Sequence, residues 1–464
     1  MDGQFHICSL NPSKDSEDLA FITSPSIHSF KVSGGDECYN SILRLAGLAP
    51  NLKKVRMRRC PSFEGPALGP NNFQSGTASL VDLRFEGTWK FDGRRLCEWS
   101  YCTDFSTLQT LIINGRLNDA AFKVWNQMEF LFPSLKTLHL NIAGSRSEEF
   151  YDDASKFLRS LPPLTELEVT GWHLRIGIES LIGVHGPRLR KFKLIKPATW
   201  QTLSEHQIRQ ISRKCPLLED LEVTIDGAQS HAEKAKIYAA LGSIRNLKYL
   251  VLTYEVGFMG LPTIPREEIT SSTGTQRPGS KHHELPSYPS FDEFENQFCE
   301  GASDEFFRLR NGHVQKMIVD AVMDERLACE IFQAILDTKS KSSPLLKDLN
   351  IKIIGAHVRK DLVDIAHLFS SDWRVIRETN FRRRGKLIAE EIEPCRSSIE
   401  RRNIHLPLWL EPIFYRLFPA AKPKGPPRKL SKKLAAKRDK EKSQAIPMWR
   451  RYIHSFPTTS ATEN

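Results

Sequence analysis

The chain has 464 residues, 40% hydrophobic and 26% charged, with a formal net charge of +11, a globular composition that argues against a disordered or fibrous chain. No run of about 18 apolar residues occurs, which argues against a helical membrane span, and Met1-Asp2-Gly3-Gln4-Phe5-His6 lacks the basic and apolar regions of a secretory leader. The charge is lopsided: residues 422–451 carry twelve Lys/Arg against Asp439 and Glu441, which leaves the rest of the chain at +1.

One pattern organises the first 260 residues: apolar, two variable, apolar, one variable, apolar. It occurs at Ile27/Phe30/Val32, Leu52/Val55/Met57, Leu80/Leu83/Phe85, Leu108/Leu111/Ile113 and Leu135/Leu138/Leu140. It continues at Leu164/Leu167/Val169, Leu189/Phe192/Leu194, Leu218/Leu221/Val223 and Leu247/Leu250/Leu252. Successive first positions are 25, 28, 28, 27, 29, 25, 29 and 29 residues apart. That period with that core is the signature of a leucine-rich repeat. Each repeat reads as a strand followed by a helix. In the strand, Leu135, Leu138 and Leu140 point inward while His139 and Asn141 face outward. Helical spacing is predicted over Asp119–Phe132, Glu149–Leu161 and Ala232–Leu241. Ser204-Glu205-His206-Gln207 reads as a capping box ahead of Ile208 and Ile211. Alternating strands and helices imply parallel strands with right-handed crossovers.

The rhythm breaks after Leu252. Pro262–Pro289 is rich in Ser, Thr, Gly, Pro and charge and reads as an extended or disordered insertion. A helix is predicted over His313–Asp337. A strand follows at Leu346/Leu349/Ile351, 99 residues after Leu247. Arg359–Ser370 would be a closing helix, giving one atypical terminal repeat. Phe381–Arg402 reads as a charged helical stretch, and Ala420–Lys442 as disordered. The fold class predicted is therefore an α/β leucine-rich-repeat solenoid, with parallel strands on a concave face and helices on a convex face. It is divided into an N-terminal segment (1–25), repeats (26–260), an insertion (261–312), an atypical terminal repeat and cap (313–376), a charged helical extension (377–419) and a basic tail (420–464). Many such repeats carry Asn or Cys at their ninth position. Here it holds Gly35, Cys60, Thr88, Arg116, Ala143, Trp172, Pro197, Asp226 and Glu255. Only Cys60 fits, so an irregular solenoid of uneven curvature is expected.

Binding residues can be placed by strand alternation alone. The fifth and seventh repeat positions offer Arg56, Arg58, Arg84, His139, Glu168, Lys193 and Glu222 as partner-binding candidates. Strands about 4.8 Å apart would gather Arg56, Arg58 and Arg84 into a basic patch, and Glu168 and Glu222 would flank Lys193. A mixed-charge groove of this kind selects a protein segment. No phosphate-binding, dinucleotide-binding, zinc-protease or serine-hydrolase string occurs, so no catalytic residue, metal or cofactor is expected. Nine scattered cysteines without a C-x-x-C pair read as reduced thiols. In the tail, Arg428, Lys429, Lys432, Lys433, Lys437 and Arg438 are candidates for nuclear import. Nucleic-acid binding is not expected, because no aromatic residue is interleaved with them.

The strings Pro216-Leu217-Leu218-Glu219-Asp220-Leu221 and Asn246-Leu247-Lys248-Tyr249-Leu250 resemble repeats of fungal F-box/leucine-rich-repeat proteins, as does the helix-insertion-helix arrangement near Ala328–Phe332. The resemblance covers residues 26–376. It implies a substrate receptor of a cullin-type ubiquitin ligase, whose F-box binds a Skp1-type adaptor while the repeats hold a protein substrate. This sequence departs from the pattern: residues 1–26 show no Leu-Pro-led helical motif, and Leu406-Pro407-Leu408-Trp409 imitates the opening without its continuation. A Skp1-type adaptor is expected only if a fuller gene product carries an F-box. The expectation is a non-enzymatic, cytoplasmic or nuclear protein-recognition module with no membrane partner. The alternatives are a stand-alone repeat scaffold and an enzyme on a β/α scaffold.

Overall fold

The structure, a computed structural model, describes residues 4–7, 26–33, 39, 43, 46–58, 78–87, 90–127, 132–143, 147–195, 202–227, 229–256, 283–284, 291–299, 307–308, 310–355, 371–378, 385–392 and 410–419. The chain divides into two compact units. The first comprises Met1–Ile225, His231–Leu252 and Gln333–Asp348, and the second comprises Asp226–Ser230, Thr253–Phe332 and Leu349–Asn464.

In the first unit, alternation of strand and helix builds one large sheet. Its strands are β1 (Gln4–Ile7), β2 (Ser29–Ser33), β3 (Lys54–Arg58), β4 (Asp82–Glu86), β5 (Thr110–Leu117), β6 (Thr137–Asn141), β7 (Glu166–Thr170), β8 (Lys191–Ile195), β9 (Asp220–Asp226) and β10 (Tyr249–Val256). They are neighbours in chain order, and each pair from β1–β2 to β8–β9 is parallel. Helices α1 (Arg94–Cys102), α2 (Ala121–Gln127), α3 (Glu148–Ser160), α4 (Ile178–His185), α5 (Glu205–Lys214) and α6 (His231–Gly242) follow β4 to β9 in turn. They pack side by side in the same order. The capping box at Ser204 and Gln207 is formed.

All residues of the nine-fold apolar pattern are at most 2% exposed. They also align without slip: Phe30, Val55, Leu83, Leu111, Leu138, Leu167, Phe192 and Leu221 are successive cross-strand partners. Each such burial stabilises by about 1.5–3 kcal/mol. Between α2 and α3 the core is aromatic: the Phe122 ring lies 5.1 Å from those of Trp125 and Phe150, and the Trp125 indole N–H donates to the Gly93 carbonyl at 2.8 Å.

Register is set by a recurring backbone contact. The carbonyl of the second repeat position accepts the N–H groups of the second and third positions of the next repeat. His28, Lys53, Val81, Gln109, Lys136, Thr165, Arg190, Glu219 and Lys248 all do this, at 2.8–3.3 Å. The last of these receives Lys347 and Asp348, so Leu346 enters its strand by the same bond as the second to ninth regular repeats. A reverse turn precedes the strand. Ala49, Phe105, Phe132, Gly186, Cys215 and Ile244 accept from the first-position N–H three residues later, at 3.1–3.4 Å. Pro50, Pro133, Pro187 and Pro216 hold the second place in four of these turns, where a fixed φ suits the chain reversal. Pro344 stands in the same place before Leu346.

In the second unit, strands β11 (Asp348–Gly355, from Leu349 on), β12 (Asp372–Arg377) and β13 (Leu387–Ile392) accompany helices α7 (Glu293–Asn296), α8 (Asn311–Ala321), the first part of α9 (Glu325–Asp337), which belongs to the first unit from Gln333 on, and α10 (Glu411–Leu417). Two expectations are corrected. The helix predicted over His313–Asp337 is two helices. Val322 is extended, the Asp324 carboxylate accepts from the Leu327 N–H at 2.7 Å and so starts α9, and the Met323 carbonyl accepts the Trp373 indole N–H at 3.0 Å. The charged stretch read as helical holds a strand, because Gly385 at φ +97° turns the chain back and β13 pairs antiparallel with β12, placing Arg374 opposite Glu390. Within the predicted insertion, His283–Glu284 pairs with Phe307–Arg308. The rest of Pro262–Pro289, the closing helix Arg359–Ser370 and the tail from residue 420 lie outside the described residues. Among the described residues no helix is long and apolar enough to cross a membrane.

The first unit closes around a glycine. A Cβ on Gly242 would lie 2.3 Å from the Ile335 carbonyl oxygen and 1.8 Å from Thr338 Oγ1. Beside it, Lys339 Nζ donates to the Ile244 carbonyl at 3.0 Å, and burial lowers this ammonium to about 8. Helix propensity alone favours alanine over glycine by about 1 kcal/mol. The backbone clash outweighs it, so Gly242→Ala should destabilise by about 1–3 kcal/mol in urea unfolding; an unchanged or raised midpoint would show that this approach is not close.

Candidate functional site

Strand positions that alternate with the buried pattern form rows across the sheet. The middle row runs Lys31, Arg56, Arg84, Ile112, His139, Glu168, Lys193 and Glu222, each directly opposite the next. The row on its N-terminal side runs Ser29, Lys54, Asp82, Thr110, Thr137, Glu166, Lys191 and Asp220. On the far side Arg58 opposes Glu86. All seven predicted binding residues therefore share one face.

Their charges lock onto one another. Arg84 donates to both oxygens of Asp82 at 2.7 and 2.9 Å, and Arg58 Nε donates to Glu86 at 2.9 Å. Lys193 Nζ sits between Glu222 at 3.6 Å and Glu168 at 4.0 Å. The expected basic patch is thus largely neutralised: Arg58 and Arg84 each have a carboxylate from a neighbouring strand or row. Glu222 is 6% exposed, so it is held by the protein rather than offered to a partner, a correction to its reading as an open-face residue. Burial of the alternate positions continues at Thr224 and Asp226, which confines the accessible part of the face to β2–β8.

The centre is Glu166. Its Oε1 accepts from His139 Nε2 at 2.8 Å and lies 2.6 Å from Lys191 Nζ. The hydrogen bond from His139, followed by the bond and charge of Lys191, holds its carboxyl down at about 2 against the opposing effect of burial. Next to it, β5 bulges between Ile113 and Arg116. The Asn141 amide fills the irregularity by donating to the Asn114 carbonyl at 2.9 Å. The bulge leaves a pocket of about 210 Å³ lined by Asn114, His139, Asn141, Glu168 and Thr170. Bulges of this kind redirect side chains at functional positions.

No family model matches this sequence, and no curated protein matches it.

Sequence reasoning missed Lys31, Lys54, Asp82, Glu166 and Lys191. The signal was available: Lys31 holds the fifth position of the first repeat, and the other four hold the third position, which lies two residues before the fifth and faces the same way. The six import candidates, Arg428, Lys429, Lys432, Lys433, Lys437 and Arg438, lie outside the described residues. Among the described residues no group of three His, Cys, Asp or Glu could hold a metal ion. The thiols of Cys97, Cys102 and Cys215 are pushed up to about 12 by burial, which suppresses the reactive thiolate.

Elsewhere, in the second unit, Asp226 and Glu255 approach one another. Glu255 has a buried Oε2 with no hydrogen-bond partner among the described residues, and burial, then the Asp226 charge, raises its carboxyl to about 7.

Two pH dependences of opposite sign follow. Glu166 is depressed, so its stabilisation is full above the ordinary carboxylate range and lost as pH falls through about 2; Glu166→Gln should remove that acid-induced loss and about 1–2 kcal/mol near neutrality. Glu255 is raised, so its neutral form is favoured at low pH and stability declines as pH rises towards about 7; Glu255→Gln should flatten that decline and leave the variant more stable at pH 8. Urea unfolding from pH 2 to pH 8 reads both, and wild-type slopes in both variants would refute the assignments.

Proposed function

We propose that the first unit is a leucine-rich-repeat solenoid whose accessible strand face recognises a segment of another protein without catalysing a reaction. The observation that carries this reading is the slip-free register, which places one side chain per repeat in a continuous row eight strands wide, basic from Lys31 to Arg84 and of mixed charge from His139 to Glu222. A surface of fixed, mutually oriented charges chooses partners by complementarity and speeds their encounter. At the centre of that face the His139 ring is engaged by the carboxylates of Glu166 and Glu168.

The resemblance to fungal F-box/leucine-rich-repeat proteins suggests the finer role of substrate receptor in a cullin-type ubiquitin ligase. A scaffold outside any ligase is the second reading, and co-purification of a Skp1-type adaptor with the chain separates the two. The recognition face is tested by a photo-crosslinking residue at Asn141, compared with one at the exposed helical residue Arg213. A specific protein adduct is expected from position 141, suppressed by His139→Ala and Lys193→Ala. Equal adducts from both positions would sink the face as the binding surface.

A further inference from the structure

In the middle row and the row on its N-terminal side, the cations of β4 and β8 all have carboxylates: Arg84 has Asp82, Lys191 has Glu166, and Lys193 has Glu168 and Glu222. Arg58 of β3 has Glu86. Lys31, Lys54 and Arg56 have no ion pair or hydrogen bond among the described residues. Lys31 and Arg56 are direct cross-strand partners, and Lys54 lies on the same face one pleat from Arg56. Directly opposed like charges destabilise a sheet, so the arrangement costs stability that an anionic ligand would recover.

We propose that this corner, formed by Lys31, Lys54 and Arg56, is the docking site for an acidic, extended protein segment that crosses the strands towards the pocket beside His139. The proposal rests on the protein-recognition reading of the same face and names its partner's chemistry. From Lys31 to His139 the row crosses four strand spacings, about 19 Å at 4.8 Å each, which an extended chain covers in about six residues. Carboxylates at one end of such a segment meet the three uncompensated cations. At the other end, Asn114, Asn141 and Thr170 offer neutral donors and acceptors around the pocket. A nucleic acid is the poorer fit, because Asp82 and Glu86 border the corner and no open-face position of the middle row is aromatic, leaving no platform for bases.

The test uses the full chain and a twelve-residue Glu-rich peptide carrying a photo-reactive benzophenone, with a Gln-for-Glu peptide and a twelve-nucleotide single-stranded DNA as comparisons. The Glu peptide is expected to crosslink to residues 29–58. Its affinity should fall at least about tenfold in the Lys31→Glu/Arg56→Glu variant and in 0.5 M salt, where exposed charges are screened within about 4 Å. Lys214→Glu, on an exposed helical residue, should leave it within twofold. Lys31→Gln/Arg56→Gln, with thermal melting alongside, separates lost binding from lost folding. The proposal is overturned if crosslinks are confined to the basic residues 422–451, if the double variant binds as well as wild type, or if the DNA binds more tightly with the same dependence on Lys31 and Arg56. If position 141 still captures its protein while the corner variants change nothing, the corner fails and the recognition face stands; if position 141 also captures nothing specific, both fall.

Discussion

One carbonyl per repeat, accepting two N–H groups from the repeat that follows, is the constraint on which the first unit depends. It fixes where each strand begins relative to its neighbour, and a strand has a side-chain period of two. A slip of one residue would turn Leu138 outward and His139 inward, and would do the same along the whole strand. Because the bond recurs from His28 to Lys248, the apolar pattern stays buried even though the spacing between repeats varies from 25 to 29 residues. The variation is absorbed in the helices and turns. Proline in the turn before the strand supports this by fixing the reversal without requiring a side-chain contact.

The same register creates the chemistry of the face. Side chains separated by one strand spacing are close enough to pair but are only partly desolvated, so each pair adds little to stability. What they fix is the pattern of charge that the face presents. Glu166 shows how neighbouring rows interact: it receives His139 from the strand before it and Lys191 from the strand after it. The ring and the ammonium are thereby held in place, and the pocket at the β5 bulge keeps a defined polar wall.

The sequence made the strands legible because burial there is periodic. Every residue of the recurring apolar triplet is buried, and the capped helix at Ser204 begins where its side chains said it would. The break at Val322-Met323-Asp324 was not legible, since two of its three residues continue the apolar helical spacing; only the cap at Asp324 and the indole of Trp373, 50 residues away in sequence, end the helix there. The strand Leu387–Ile392 was hidden for a related reason: its charges suit either a solvated helix or a sheet edge, and Gly385 with the partner strand decides. In the site, the residues at the fifth and seventh positions could be placed by alternation. Their neutralisation could not, because Arg84 turns to Asp82 and Arg58 to Glu86 through side-chain rotamers that no repeat spacing encodes.

The missing ladder of Asn or Cys at the ninth position has a structural counterpart. The N-terminal ends of the strands are joined by a uniform backbone bond, which needs no particular side chain, whereas the C-terminal ends are finished case by case. After β5 the finish is a bulge filled by Asn141. After β7 it is Gly171, whose φ of +80° and approach to Ala143, with a notional Cβ only 2.3 Å from the Ala143 Cα, admit no larger residue. In the second unit it is a pair of carboxylates, Asp226 and Glu255, the second of which burial raises to about 7, so that it titrates near neutrality. A uniform end tolerates any sequence at its second and third positions, and so leaves the outward row free to carry charge; a variable end concentrates the unusual backbone and the polar pocket. The backbone bond that holds the repeats in line and the polar pocket at the bulge thus lie at opposite ends of the same short strands.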